Sequence, residues 1–315
     1  MILRYIGKRI LQTLIVLFFV SLFAFFLIRL APGSPARMML PDDATEEQVQ
    51  AMERQMGLDK PLYQQYFIYI SGVLRGDLGT STIYKQPVAE IIASRLPVTG
   101  TLTFWTILVC LLVSIPLGVV AGSKQGTLTD FLAMFFAIFG QSMSPVWLGV
   151  LLIYVFASKL GWLPAMGYGG IRYVILPAIT LGYPVAAEIT RIGRSGMIDV
   201  LKEDYITATY AKGISRQKVL WKYAFKNALI PIITICGGRF GGQLGGAMVI
   251  ETVFAIPGIG TYLIDGINNR DYTVVQGSVL YIAFTFGVVM LLVDLIYAYV
   301  DPRIKAQYTK GAKKP

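Results

Sequence analysis

Histidine is absent from this 315-residue chain, and only two cysteines, Cys110 and Cys236, are present. The first absence removes the commonest metal ligand and the commonest general base. Two cysteines inside apolar runs build no disulfide framework, and no CxxC pair is available to hold a metal. Charge is scarce too: 15% of residues are charged, against ~25% in an ordinary soluble domain. A GxxxxGK[ST] phosphate loop is missing, so nucleotide chemistry tied to this protein belongs to another polypeptide. With no acids clustered at catalytic spacing, a membrane enzyme has no constellation to rest on.

Apolar sequence fills the space left. Hydrophobic residues make up 55% of the chain, mean hydropathy is +0.61, and the apolar residues fall in blocks. A bilayer core of ~30 Å is crossed by about 20 consecutive apolar residues in a helix. The blocks predict an all-α polytopic membrane protein with about six transmembrane helices, at 10–30, 99–122, 131–157, 174–193, 227–254 and 276–300. The fourth is interrupted by Pro184 and the fifth is rich in glycine, which membrane helices tolerate when neighbours satisfy the freed backbone groups. The basic start, Arg4 to Arg9, resembles a signal peptide. Its apolar run continues to Leu30 without a small-residue cleavage site, so it reads as an uncleaved first span.

The formal net charge is +10. In a soluble protein that would raise nucleic-acid binding. Here the basic residues flank apolar spans, and no array of aromatics and cations suits base stacking, so lipid is the expected partner and nucleic acid is not. With both termini in the cytoplasm, the inner segments hold 17 of the 28 Lys and Arg residues, as the positive-inside rule requires. The division that follows is a first span at 1–30, an extracytoplasmic segment at 31–98, a core of five spans at 99–301 and a basic cytoplasmic tail at 302–315. Within the outer segment, Thr45 before Glu46 and Glu47 marks a helix start, Gly57 a stop, and Pro61 to Leu74 a second short helix.

The inner segment 194–226 is polar, strongly basic and helical in pattern. Ile206, Tyr210 and Ala211 share one predicted face, Gly213 interrupts, and Val219, Leu220, Tyr223 and Ala224 begin a second helix. A helix, a glycine break and a helix, too short to fold alone, form either a solvated connector or a docking element for a cytoplasmic partner.

The wording of this segment is familiar. Glu203-Asp204-Tyr205-Ile206-Thr207-Ala208-Thr209-Tyr210-Ala211-Lys212-Gly213, followed by Asn227-Ala228-Leu229-Ile230-Pro231, resembles the EAA loop of ABC-importer permeases. The B-type subunits of the dipeptide, oligopeptide and nickel permeases are the nearest in wording. Leu30 to Pro35, Gly57 to Pro61, Gly76 to Gly79, Ile175 to Ala178, Phe254 to Gly260, Arg270 to Tyr272 and Asp301 to Arg303 agree with the same family, in order and spacing.

The resemblance implies a type I importer permease in the cytoplasmic (inner) membrane of a bacterium or archaeon. It also implies a homologous second permease, two cytoplasmic ATPase subunits that carry ATP and Mg, and an extracytoplasmic substrate-binding protein. On that pattern Glu203, Asp204, Ala208, Ala211 and Gly213 belong to the coupling loop, and this chain binds no cofactor or metal of its own. The literal Ala-Ala pair is lost, because Thr209 and Tyr210 follow Ala208.

Inside the spans, Gly237, Gly241 and Gly245 recur every four residues, as do Gly238, Gly242 and Gly246, giving a broad glycine face for close helix packing or for a moving surface. Arg239 lies about 18 Å beyond Asn227 at ~1.5 Å per residue, near mid-bilayer. A charge there costs at least ~2.5 kcal/mol and must meet a partner or water. Gln243 shares its face, and Glu188 and Asp294 are the intramembrane acids. These four either pair to stabilise the bundle or line a polar route.

The permease reading competes with a self-sufficient secondary transporter or channel, which leaves the basic helix–Gly–helix segment unexplained. For substrate, the stretch Trp162 to Gly170 resembles nickel-type members. A histidine-free chain offers a free metal ion few good ligands, whereas a peptide or a chelated metal needs none.

Overall fold

A computed structural model describes residues 2–30, 36–37, 40, 44–55, 57–244 and 247–300. The expected basic tail at 302–315, the Ala31 to Pro35 motif, and Gly245 and Gly246 lie outside the described residues. Among those described, no strand forms. Four helices are long and apolar enough to cross a membrane, rising to six if two bent helix pairs each count as one span.

The first long helix is α1 (Ile2–Leu30). Two short helices follow, α2 (Glu46–Gln55) and α3 (Leu62–Leu74). The expected start at Thr45 is a reciprocal cap: the Gln48 amide donates to Thr45 Oγ1 at 3.4 Å and the Thr45 amide to Gln48 Oε1 at 2.9 Å. Gly57 closes α2 at φ +67°, in the left-handed region that glycine enters freely.

The centre of the molecule is the pair α4 (Val88–Ser123) and α7 (Ile171–Leu201). A Cβ added at Gly118 would lie 3.1 Å from the Thr190 carbonyl, and one at Gly122 would lie 2.6 Å from Met197 Cβ and 2.9 Å from the Arg194 carbonyl. Gly182 likewise faces Thr106. Residue numbers rise together along this seam, so the two helices run side by side in the same direction. A chain with parallel neighbours must cross back between them.

That return is made by α5 (Leu128–Ser142) and α6 (Pro145–Leu152), the latter running on through a π-helical turn at Ile153–Lys159. The expected single span at 131–157 is therefore corrected: the two pieces meet at 103°. Pro145 holds its predecessor Ser144 extended, at φ −65° and ψ 129°, where a helix cannot continue. Pro177 and Pro184, by contrast, leave α7 unbroken.

After α7 come α8 (Asp204–Ala211), the single turn α9 (Arg216–Lys218), a π-helical turn at Val219–Ala224, and α10 (Phe225–Leu244). The expected continuous span to 254 is also corrected, because α11 (Met248–Val253) is a separate short helix. Then α12 (Ile259–Asn268) leads to the last long helix, α13 (Tyr272–Val300). Along α4 the buried side chains pass through four successive clusters. Val88 and Ile92 pack with Ile259 and Tyr262, Leu102 with Leu176 and Phe254, Cys110 with Ile189 and Phe240, and Val119 with Met197 and Ile206. α13 packs antiparallel on α1, with Gly287 against Thr13, and on α10, with Gly237 against Val293.

We predict that Gly122→Val lowers the thermal midpoint of the detergent-solubilised protein, because overpacking of this kind costs about 1–3 kcal/mol. Gly100→Ala, where a Cβ meets nothing within 4 Å, leaves the midpoint unchanged. Equal midpoints for the two variants would refute the close seam.

Candidate functional site

The inner segment folds as a hairpin clamped at its base. Asp130, at the start of α5, is buried and takes both Nε and Nη2 of Arg194, the latter at 2.7 Å, with the Gly126 amide at 3.0 Å completing its shell. A bidentate guanidinium–carboxylate pair fixes direction as well as distance. It locks the end of α7 just before the chain leaves for α8. Arg216, past the turn, donates to the Ser123 carbonyl at 3.1 Å. At the tip, Gly213 adopts φ +72° and faces open space, so the glycine break predicted from sequence is a left-handed turn.

Within α8 the buried positions are Ile206, 1% exposed, and Thr209, whose hydroxyl donates to the Tyr205 carbonyl at 2.6 Å. Of Ile206, Tyr210 and Ala211, which share one predicted face, Ile206 is buried against Val119, Met197 and Val219, while Tyr210 and Ala211 are exposed. Glu203, Asp204, Ala208, Ala211 and Gly213 all lie on the exposed side. The two halves of the motif meet directly, because the Asn227 amide nitrogen donates to the Tyr205 hydroxyl at 2.6 Å.

The intramembrane charges form two pairs and not one group. Arg239 binds Glu188, with Nε and Nη2 both 2.8 Å from Oε2. The arginine side chain remains 55% exposed and the acid 18%. Asp294 is elsewhere, 3.1 Å from Arg9 of α1. Gln243 stands beside Arg239 in sequence, and its Oε1 is buried without a hydrogen-bond partner among the described residues. The glycine face also divides. Gly237 and Gly241 pack on Val293 and Val289 of α13, whereas nothing lies within 4 Å of a Cβ at Gly238 or Gly242. α10 therefore has one locked side and one open side.

Three positioning residues escaped the sequence reading. Asp271, 1% exposed, accepts from Ser81 Oγ at 2.7 Å and from the Thr82 and Ile83 amides at 2.8 and 3.2 Å, while its other oxygen accepts the Val274 amide at 3.2 Å and caps α13. Glu251, fully buried, accepts from Thr99 Oγ1 at 2.9 Å and from the Thr261 amide at 3.1 Å. A Cβ at Gly258 or Gly260 would collide with its carboxylate. The signal was present: an acid in an apolar run, seven and nine residues before two glycines. Asp130 gave none, since its partner lies 64 positions away.

Residues 114–306 match the family described as binding-protein-dependent transport system inner membrane component, and residues 2–103 match its N-terminal component. This chain belongs to the ABC-importer permeases. As a permease it is a transport subunit and not itself a catalytic enzyme, and it is a multi-pass inner-membrane protein. Its relatives include the glutathione transport system permease protein GsiC of Escherichia coli O6:H1, 40% identical over 96% of this chain and 99% of the relative. The dipeptide transport system permease protein DppB of Alkalihalophilus pseudofirmus is 38% identical over the same shares. Among solved structures, the MetNI methionine ABC transporter in inward-facing conformations matches with a TM-score of 0.56 at 16% identity, covering 67% of this permease and 96% of that chain. That likeness is one of fold.

We predict that Asp130→Asn weakens the clamp. Hydrogen exchange should rise across 194–203 with little change at 259–268; unaltered exchange at the hairpin base would show that the ion pair holds nothing in place.

Proposed function

We propose that this permease translocates small peptides across the cytoplasmic membrane, with ATP hydrolysed by partner subunits. The relatives named for glutathione and for dipeptides support a peptide substrate. The observation that carries the mechanism is the clamped hairpin. Its exposed side presents Glu203, Asp204, Ala208 and Ala211 outward, while Ile206 roots it on the seam between α4 and α7. A helix that is rigidly joined to two packed spans transmits displacement, whereas a flexible connector dissipates it.

In this reading both termini are cytoplasmic. The contact of Arg9 with Asp294 sets the start of α1 level with the end of α13, which supports a common side for the two ends. A homologous second permease covers the open side of α10, one of the two ATPase subunits receives α8, and a binding protein delivers peptide to the outer segment. ATP and Mg are held by the ATPase subunits. Arg239, with Glu188 and Gln243, lines the route: a half-exposed guanidinium within an apolar span must face water or a polar partner. Asp294, engaged with Arg9, is read as a fastening of the first span and not as part of the route.

In proteoliposomes holding both permeases and the ATPases, with binding protein supplied, ATP-dependent uptake of a labelled dipeptide or of glutathione is expected. Uptake without ATPase subunits would refute the reading. Gly213→Val forces a side chain into φ +72°, a strain of roughly 1–2 kcal/mol, and should abolish uptake while the chain still inserts. Arg239→Ala should lower uptake with the complex still assembled; normal uptake in that variant would remove Arg239 from the route.

A further inference from the structure

Beside the hairpin base lies an open cleft of about 680 Å³ between the α4–α5 turn and the end of α7. Lys124, Lys202 and Arg216 line it, together with the hydroxyls of Ser123, Thr127 and Thr129, and no acidic side chain is among its lining residues. Asp130, one residue past the lining Thr129, is already taken by Arg194, while Asp199 and Glu203 adjoin lining residues in sequence without lining the cleft themselves. Arg216 is held in place by the Ser123 carbonyl. The Ser123 and Thr127 hydroxyls donate to the Val120 and Lys124 carbonyls, so the cleft's offer to a ligand is the positive charge of Lys124, Lys202 and Arg216, with no acid among its lining residues.

A second cavity lies further along α5, beginning two residues past Thr129 at Phe131 and sharing no lining residue with the first. It is an apolar groove of about 360 Å³ walled by Phe131, Phe135, Ile138 and Phe139, with the Phe135 and Phe139 rings stacked 6.3 Å apart. Phe131 is 66% exposed and Phe135 52%. In an ordinary helix Thr127 and this aromatic stripe fall on the same side. A charged recess at one end of an apolar track is the shape of an amphiphile with an anionic head and hydrocarbon tails.

We infer that the cleft binds the phosphate headgroup of an acidic phospholipid, whose acyl chain lies along the α5 groove. The leaflet, though not the chemistry, rests on the orientation proposed above. Basic recesses between membrane helices on the cytoplasmic side suit anionic headgroups, and each cation near such a surface adds measurably to binding. The lipid would wedge between α5 and the hairpin base, beside the clamp that α8 hangs from.

The test is native mass spectrometry of the purified permease complex, titrated with phosphatidylglycerol or phosphatidylethanolamine of equal chain length. Wild type should retain phosphatidylglycerol preferentially. Lys124→Ala/Lys202→Ala should bind it about thirtyfold more weakly, and Lys124→Arg/Lys202→Arg should keep it. Equal retention of the two lipids overturns the inference. So does unchanged phosphatidylglycerol affinity in the alanine variant, and if ATPase subunits are then shed, the lysines belong to a protein contact. Displacement of the lipid by millimolar inorganic phosphate would identify a free-anion site and also overturn it. Binding is read without transport, so failure here leaves the permease reading standing.

Discussion

Backbone laid against backbone along Gly118, Gly122 and Gly182 fixes the distance between α4 and α7, and the remaining elements take their places from that pair. In lipid, helices gain little from hiding apolar surface from one another, so association rests on close van der Waals contact, which small residues permit. The two helices are parallel, and this demands a return through α5 and α6, which Pro145 bends. It also sets their ends level. The α7 end and the α4–α5 turn emerge together, and there Asp130 meets Arg194 and Arg216 meets Ser123.

The polar groups within this apolar frame are concentrated in a few fastenings. At one end, Asp130 with Arg194 and Arg9 with Asp294 hold helix termini. At the other, Glu251 and Asp271 gather backbone amides that would otherwise be buried without partners. Between these levels lies the pair Arg239 and Glu188. Its arginine side chain is 55% exposed, with that of Arg9 at 42%, whereas Asp130, Glu251 and Asp271 are buried. Fixed ends with an exposed charge in the middle fit a subunit that is completed by another chain.

The sequence made the long helices legible because twenty apolar residues have few other uses, and it made the hairpin legible because Gly213 stands between two periodic stretches. The Thr45 cap and the Gly57 stop were readable for the same local reasons. Breaks were harder. Pro145 ends a helix while Pro177 and Pro184 do not, and the difference lies in what surrounds each proline. Periodicity alone does not say which part of a shared face is covered: Ile206 is buried, yet Tyr210 lies at the surface. Pairings over long separations were the least visible. Arg239 announced that it needed a partner, and Glu188 was among the named acids, but choosing it over Asp294 required the fold. Asp130 and Asp271 were silent because a carboxylate's role here depends on amides or cations far away in the chain, whereas Glu251 left a local trace in the glycines that follow it.

Asp271 joins Ser81, Thr82 and Ile83 across nearly two hundred positions of chain. The loop is made early and its acceptor late. At the ordinary pace of translation, roughly 5–20 residues per second, its amides wait about ten to forty seconds for that carboxylate. During the interval the emerging chain carries a loop whose amides lack the acceptor that Asp271 later supplies. Asp271 immediately precedes α13, so the loop gains its acceptor only as the chain enters its last long helix.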